Sequence, residues 1–507
     1  MPKGELKEIR NPSIETIDDE FINLSSEELE QLGSSSIFKL IFNISFSSVV
    51  SFVAMTAYEN IDSMAIGTFA GSSALSGVSA FLYFEYFIVT DICYSFGGAA
   101  TGVISHALGS QNFLRARKVL LYIVFGCIIW GILVPLICVP ILPWLLPTIG
   151  VPDAAYEETH EYAVVILLGT CFPLLVVSLS QLFRAENRPY TAMWIELSCA
   201  LLNCGGDFLT MGAWNMGPRG AALSTVGSNV ILLIVIIIIH CSCGQFGEKI
   251  RPQVNLLNKE VFSSPFDKEA FGKTFGGGVA FLLLNSLLTL GIMFSIANIS
   301  NYSSDEETLW VAAFGVSGRL ATLVFGPCGG IGAALPAIMG YNLGRKNFDR
   351  VFQALWKGAL SITVFASFLG ILNIVFLHQI AGLFSDGNDD LTSLIEQISI
   401  WVPFTTFICA GIHTITGILQ AERNVVGQLI LFISNGIPMI VVAYLLPAIF
   451  GIDGFKFIYF VGYGLPQLIC AILLPRWMFK YHNLKNIEVI DLEDSDDIDP
   501  KMSCILP

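Results

Sequence analysis

The chain has 507 residues, of which 54% are hydrophobic and only 13% are charged, about half the charged share of an ordinary soluble protein. Its apolar residues form blocks of about 20, long enough to cross a hydrocarbon core of about 30 Å, so a soluble globular fold is excluded. The net charge of −15 is concentrated in residues 1–36 and 479–507, which together carry −10. We therefore predict two solvated acidic tails rather than docking sites, and we expect no nucleic-acid partner.

Apolar blocks separated by polar or Gly/Pro residues predict twelve membrane-spanning helices. Their centres lie near residues 50, 88, 132, 172, 202, 230, 285, 325, 366, 408, 438 and 466. The predicted fold class is therefore an all-α polytopic membrane protein with two pseudo-symmetric lobes of six helices each. The N-terminal lobe is expected at 37–240, a linker at 241–272 and the C-terminal lobe at 273–478.

Basic residues in the short connections predict the orientation, because Lys and Arg resist translocation. The opposite connections hold only Arg219 and Lys456, whereas one side, which we call the basic end, carries Arg115, Arg117, Lys118, Arg184, Arg188, Lys249, Arg251, Lys259, Lys268, Arg345, Lys346, Arg350, Arg423, Arg476 and Lys480. Both tails and the linker are therefore expected in the cytosol. Two N-x-S sequons, at Asn298 and Asn301, fall on the other side, where a eukaryotic host can attach a glycan.

An internal repeat relates the two halves. Residues 105–120 align without gaps with residues 340–355 at an offset of 235, and six of the sixteen positions are identical. Nearly the same offset pairs Glu186 with Glu422. Because six spans separate the copies, both halves enter the membrane in the same direction. The sequence therefore predicts two lobes around a cavity that rocking exposes to each side in turn, which is the architecture of a secondary transporter.

Charged residues inside spans are costly, at about 2.5 to 3.5 kcal/mol each near the bilayer centre, so each one requires a reason. The only deep cation is Arg319, in span 8, whereas the first half supplies six carboxylates: Glu59, Asp62, Glu85, Asp91, Glu196 and Asp207. This asymmetry assigns the ionic chemistry to the first half.

Four oxygen-bearing side chains are expected at a similar depth in the membrane. Asp62 and Asp207 lie late in two spans that run outward, Asn203 lies one helical turn from Asp207, and Thr225 enters span 6 at a comparable level. The cluster suits a shared proton, because two close carboxylates in low dielectric cannot both stay ionised, or it suits a small cation such as Na⁺. A purely structural role, with Asn203 and Thr225 bonding across helices, is the alternative.

For the other charged residues inside spans, the sequence leaves more than one role open. Glu85 and Asp91 are six residues apart, too far round one helix to act as a pair, and either can line the cavity and attract a cation. Glu59 and Glu196 are expected near the membrane boundary, facing water or headgroups. Arg319 is expected to pair with a helix C-terminus or a carboxylate, with contact to substrate as the alternative.

Catalytic and metal-binding signatures are missing. His160-Glu161 is not followed by the second histidine of a zinc-protease motif, and the chain has no Walker A sequence. We therefore expect no enzymatic activity, no cofactor and no intrinsic use of ATP.

Short motifs along residues 38–475 resemble the multidrug and toxin extrusion (MATE) family. They are the run from Asn60 to Gly67, Gly97-Gly98-Ala99 with Leu108-Gly109, Arg184-Ala-Glu186, Asn203 with Asp207, the run from Gly217 to Thr225, and the run from Gly340 to Arg350. The resemblance implies a twelve-span, two-lobe antiporter that expels organic cations or toxins in exchange for H⁺ or Na⁺. It also implies that Asp62, Asn203, Asp207 and Thr225 form the ion-coupling site.

The chain departs from the family pattern in its second half. Other branches carry essential acids in spans 7, 8 or 10, whereas this chain has Asn285 and Arg319 there, so an ion site in the second lobe is not expected. The predicted protein is a monomer in the plasma membrane or an acidic organelle membrane. Alternatives are a flippase for lipid-linked saccharides, whose cavity would need Arg and Lys for phosphate, and a membrane enzyme or receptor that transports nothing.

Overall fold

The protein is described from a computed structural model that covers residues 29–241, 254, 259–299, 301–302, 307–385 and 388–493. Most of the predicted tails and linker fall outside these residues. Across the described ranges, all regular structure is helical. Eight helical stretches are long and apolar enough to cross a membrane, and ten are if each of two bent helix pairs forms one span.

The first half of the chain supplies six spans. They are span 1 (Ile37–Phe69), span 2 (Ser73–Gly109), span 3 (Phe113–Thr148), span 4 (Asp153–Gly169 with Cys171–Ala185), span 5 (Pro189–Asp207 with the π-helix Phe208–Ala213) and span 6 (Pro218–Cys241). Span 5, which carries two carboxylates, is the one not included among the ten apolar stretches.

The second half supplies span 7 (Lys268–Ile299), span 8 (Leu309–Gly344), span 9 (Phe348–Ser385), span 10 (Asp389–Thr406 with Ala410–Ala421), span 11 (Val425–Phe450) and span 12 (Ile458–Glu493). Spans 11 and 12 lie in one apolar stretch, which the 3₁₀ turn Gly451–Phe457 divides. Gly451 has a φ of +63°, a conformation that glycine adopts without steric cost. Counting this division and span 5, the helices number twelve, which confirms the predicted fold class.

Two helix ends differ from the predicted boundaries. Span 7 begins at Lys268 rather than 273, and span 12 continues to Glu493 instead of ending at 478. Span 12 is anchored beyond the predicted boundary because Lys480 Nζ and the Tyr481 hydroxyl both donate to Glu422, at 2.9 and 2.5 Å. The predicted C-terminal tail therefore starts with a helix.

The repeat is visible in the backbone. Spans 4 and 10, which correspond in the repeat, are both bent, by 51° and 53°. Gln111 and Lys346 hold the same positive φ, 57° and 59°, in corresponding turns. The next residue in each turn is an asparagine that caps the following helix, Asn112 to the Arg115 amide at 3.0 Å and Asn347 to the Arg350 amide at 3.2 Å. Corresponding sequences thus form corresponding turns.

The two halves meet at the basic end through glycines. A Cβ atom on Gly109 would lie 2.0 Å from the Tyr341 carbonyl oxygen, and one on Gly344 would lie 2.3 Å from the His106 carbonyl oxygen. The repeat relates these contacts, since an offset of 235 converts His106 to Tyr341 and Gly109 to Gly344. Close approach also occurs near the middle of the spans, where a Cβ atom on Gly326 would lie 1.8 Å from the Phe52 side chain.

Ion pairs join the same region. Arg115 contacts Asp267 at 2.9 Å and Glu269 at 3.1 Å, and Arg423 of the second half lies 3.9 Å from Glu269. Partial burial disfavours the charged form of Asp267, but hydrogen bonds from the Ala270 amide and from Arg115 outweigh it and lower the pKa of Asp267. The start of span 7 is therefore tied to both halves.

Candidate functional site

Asp207 lies where span 5 changes its helical geometry. The α-helix ends at Asp207 and the π-helix Phe208–Ala213 follows directly. The Asp207 side chain is fully buried, and its Oδ1 atom has no hydrogen-bond partner among the described residues. Single π-helical turns are rare and frequently mark functional sites. The backbone is thus specialised at this buried acid.

Asn203 links Asp207 to span 6. Its amide nitrogen lies 2.9 Å from the Thr225 hydroxyl. Turning the amide by 180° lets the nitrogen donate to Asp207 Oδ2 at 3.3 Å, while the oxygen accepts from the Thr225 hydroxyl at 2.9 Å and from the Thr225 amide at 3.3 Å. We favour the turned amide because it satisfies more groups. Ser224 also donates to the Asn203 carbonyl oxygen at 2.7 Å, which fixes spans 5 and 6 together.

Asp62 completes the group from span 1. It is half-buried, its Oδ1 atom is buried without a hydrogen-bond partner among the described residues, and it interacts electrostatically with Asp207. The structure therefore joins Asn203, Asp207 and Thr225 by hydrogen bonds and places Asp62 within electrostatic reach of Asp207. Their oxygen atoms form a donor set suited to a proton or Na⁺, although the coupling role itself stays a prediction. Nowhere in the described ranges do three or more His, Cys, Asp or Glu residues gather as metal ligands would.

An internal cleft lies beside this group, inside the first half. It contains about 870 Å³ of atom-free space, counting its open mouth, and spans 1, 2, 4, 5 and 6 line it. Its polar lining includes three carboxylates and two tyrosines in addition to Thr225: Glu59, Glu85, Glu196, Tyr58 and Tyr94. Thr225 therefore belongs both to the coupling group and to the cleft wall.

Glu196 is held by a buried arginine, not by water as its position had suggested. Arg184 Nη1 and Nη2 contact the two Glu196 carboxylate oxygens at 3.0 and 2.6 Å, and Nη2 also donates to the Ser51 hydroxyl at 3.1 Å. Arg184 is only 2% exposed, so it is not one of the solvated cations of the basic end among which the sequence analysis counted it. This bidentate pair fastens spans 1, 4 and 5 at the cleft.

Glu59 also lines the cleft, contrary to the expectation that it faces water or headgroups. Glu85 lines it too, and its Oε2 atom accepts a hydrogen bond from the Tyr162 hydroxyl at 3.4 Å. Asp91 is half-buried but does not line this cleft. The structure thus separates the two span 2 carboxylates that the sequence treated as equivalent candidates.

Two other expectations have different outcomes. Arg319 is exposed, and it forms no ion pair with any described residue, so the expected pairing with a carboxylate is not seen. Asn298 is buried at the end of span 7, where its amide donates to the Ala443 carbonyl oxygen at 3.1 Å, an arrangement that leaves no room for a glycan. Asn301 is exposed and remains the candidate acceptor.

The tyrosines of the site were not predicted from the sequence. Tyr58 and Tyr86 each adjoin a cleft carboxylate in the chain, while Tyr94 and Tyr162 come from spans 2 and 4. A tyrosine beside a glutamate within an apolar span was the available signal, because a buried hydroxyl needs a hydrogen-bond partner.

Comparison with known proteins agrees with this architecture. The family model MatE matches residues 47–209 and 280–445, one segment in each half and together more than half of the chain. Multidrug export protein MepA of Staphylococcus aureus is 24% identical over 439 residues, covering 85% of this chain and 92% of MepA. The corresponding protein of Staphylococcus saprophyticus is 25% identical over 446 residues, with the same coverage.

Solved structures share the fold. One described as the outward-facing conformation of a multidrug resistance MATE family transporter has a TM-score of 0.78 at 19% identity, covering 90% of this chain and 98% of the other. A MOP superfamily transporter from Pyrococcus furiosus, described as having a binding pocket of reverse polarity, has a TM-score of 0.79 at 18% identity, with the same coverage. Because the family model matches both halves and the whole fold agrees, this multi-pass membrane protein belongs to the MatE family.

Proposed function

We propose that this protein is a secondary active antiporter that exports organic cations, drugs or toxins in exchange for H⁺ or Na⁺. The observation that carries the proposal is the group of Asp62, Asn203, Asp207 and Thr225 beside a cleft lined with carboxylates. An organic cation and a coupling cation compete for the same negative charge, and this competition is the simplest physical basis of antiport. The names of the MepA relatives, multidrug export proteins, support the substrate class.

Coupling requires that the carboxylates bind one kind of cation at a time. In a low-dielectric interior, like charges that lie close together are stabilised by a bound cation. A proton or Na⁺ at Asp62 and Asp207 offsets this repulsion, and its release restores negative charge that attracts the organic cation. The exchange therefore depends on the carboxylates rather than on a covalent step, and we propose no enzymatic activity.

Alternating access is the proposed conformational cycle. The pseudo-symmetric halves support it, as do the close glycine contacts that join them at the basic end. We place that end and both termini in the cytosol of a monomer that resides in the plasma membrane or an acidic organelle membrane. A lipid-linked saccharide flippase is not favoured, because the one described cation near the cleft, Arg184, is already paired with Glu196.

Proteoliposomes with an imposed H⁺ or Na⁺ gradient test the proposal. Radiolabelled tetraethylammonium and ethidium serve as probes, in the wild type and in Asp62→Asn and Asp207→Asn. We expect gradient-driven uptake in the wild type and its loss in both variants, while Asp453→Asn, in the exposed turn between spans 11 and 12, behaves as the wild type. If neither probe moves in the wild type, the function is wrong. If both variants retain full uptake, the assigned site is wrong.

A further inference from the structure

Two π-helical segments occur in the described ranges, and each begins directly after a carboxylate of the first half. One is Phe208–Ala213, after Asp207, and the other is Tyr86–Thr90, after Glu85. In the second case the Asp91 amide reaches back five residues to the Tyr86 carbonyl oxygen. Each segment thus replaces regular helix directly after an acid, which is fully buried at Asp207 and half-buried at Glu85, and such turns are frequent at functional sites. Glu85 therefore has the same backbone setting as the proposed coupling residue Asp207.

The surroundings of Glu85 also resemble those of Asp207. It lines the cleft, the Tyr162 hydroxyl donates to it at 3.4 Å, and it interacts electrostatically with Asp62 and Glu59 of span 1. The hydroxyl of Tyr86 contacts Glu59 on the same side. No described Lys or Arg forms an ion pair with Glu85, since the one cation at the cleft is paired with Glu196. The titratable groups that face Glu85 are therefore two carboxylates and tyrosine hydroxyls, with no compensating charge.

One coupling cation offsets at most one of the carboxylate charges in this arrangement. Glu59, Asp62, Glu85 and Asp207 form a connected series of carboxylates, and buried Oδ1 atoms of both Asp62 and Asp207 have no hydrogen-bond partner among the described residues. Unpaired buried charge is strongly unfavourable. A single cation shared by Asp62 and Asp207 leaves the Glu85 end of the series uncompensated.

We propose that Glu85 is a second ion-coupling carboxylate, which binds a second H⁺ or Na⁺ with the Tyr162 hydroxyl, so that two coupling cations cross the membrane per transport cycle. This inference rests on the proposed antiport function. It separates Glu85 from Asp91, which lies six residues along the same span and does not line the cleft. It also predicts that exchange of two cations for one monovalent organic cation moves net charge.

Voltage dependence tests the second site. Proteoliposomes that hold equal H⁺ and Na⁺ concentrations on both sides receive only a membrane potential, set by a K⁺ gradient and valinomycin, and tetraethylammonium exchange is followed. The wild type should respond to the potential. Glu85→Gln should exchange one cation for one, remain driven by an ion gradient, and lose the response to voltage. The matched control is Glu161→Gln, an exposed glutamate next to Tyr162 in the chain, which should respond as the wild type.

A second variant covers the case in which Glu85→Gln is inactive. Tyr162→Phe keeps the carboxylate but removes the hydroxyl, and a hydrogen bond to a charged group contributes about 1.5 to 3 kcal/mol. The coupling-ion concentration that gives half-maximal transport should therefore change roughly tenfold or more, with the voltage response retained. It should rise for Na⁺, which loses an oxygen ligand, and fall for H⁺, because the hydroxyl stabilises the charged carboxylate.

A voltage-insensitive wild type, an unchanged voltage response in Glu85→Gln, or an unchanged ion requirement in Tyr162→Phe would each overturn the second site. These outcomes are independent of the proposed function, whose failure shows instead as the absence of gradient-driven movement of either probe in the wild type.

Discussion

Span 5 of the first half carries Asn203 and Asp207, whereas span 11 of the second half carries Met439 and Ala443 at the same offset that pairs Glu186 with Glu422. Met439 and Ala443 are fully buried, and a Cβ atom on Gly291 would lie 2.6 Å from the Met439 side chain. Close apolar packing thus occupies the position that holds a polar group in the first half. The same helical arrangement thus accommodates polar side chains in one half and apolar side chains in the other. The ionic chemistry therefore depends on the side chains and not on the fold.

The two interiors also differ around their sixth spans. In the first half, Thr225 reaches the cleft. In the second half, Tyr459 stacks on Phe314, with ring centroids 4.5 Å apart, and lies parallel to Tyr463 at 6.2 Å. Such stacks contribute stability beyond that of their buried area. The interior of the second half is therefore filled by apolar and aromatic side chains. Substitutions at positions paired by the repeat should consequently affect ion coupling in the first half and not in the second.

The largest expected effect is on stability, at Arg184. Removing one partner of a buried ion pair costs about 3 to 5 kcal/mol, because the other charge remains buried alone. Arg184→Ala should lower the free energy of unfolding in detergent by that amount. The repeat places Gln420 at the corresponding position, and Gln420→Ala should cost about 1 kcal/mol. Similar losses at both positions would show that the ion pair adds nothing specific to the first half.

Substitution of Asn203 should impair ion-coupled transport, whereas substitution of Met439 should not. Asn203→Leu removes hydrogen bonds to Asp207 and Thr225, and we expect gradient-driven uptake to fall roughly tenfold to a hundredfold, given about 1.5 to 3 kcal/mol for bonds to a charged group. Met439→Leu conserves volume and should cost less than about 1.5 kcal/mol of stability, with coupling intact. Uptake assays in matched proteoliposomes measure both. Loss of coupling in both variants would remove the proposed difference between the halves.

Substitutions of Gly109 and Gly344, which the repeat relates, should have similar effects. Gly109→Ala and Gly344→Ala insert a Cβ atom against backbone of the other half, which costs about 1 to 3 kcal/mol in a tightly packed contact. Both should shift the population towards states open at the basic end, as measured by distances between spin labels on the two halves. Gly227→Ala is the control, because its Cβ atom would meet nothing within 4 Å. Unchanged distances in both variants would show that these contacts do not hold the halves together.

The smallest expected effect concerns Asp267 and Arg115. Their contact is partly exposed, so Asp267→Asn should destabilise the protein by less than about 1 kcal/mol, and less at high salt. Since the pKa of Asp267 is lowered in the folded protein, its contribution is complete above the unfolded pKa of about 3.9 and is lost as the pH falls through the lower folded value. Unfolding of the wild type and variant at several pH values checks this, and a difference that grows on acidification would contradict it.

Much of the architecture could be predicted from the sequence because it follows from apolar length, basic connections and a repeat. The grouping of Asp62, Asn203, Asp207 and Thr225 was also predictable, since depth and helical spacing are regular. The Arg184–Glu196 pair was not, because nothing local indicates that a cation near a helix end turns inward. Nor were the π-helices that follow Glu85 and Asp207 predictable, because no sequence pattern used here distinguishes a π-helical turn from α-helix.

Ion binding to the purified protein tests the central claim, that coupling resides in the first half, most directly. Equilibrium binding of ²²Na⁺, together with proton release on substrate addition in weakly buffered detergent solution, is compared among the wild type, Asp207→Asn and Met439→Leu. We predict saturable binding of one of these ions in the wild type and in Met439→Leu, and loss of this binding in Asp207→Asn. Undiminished ion binding in Asp207→Asn would contradict it.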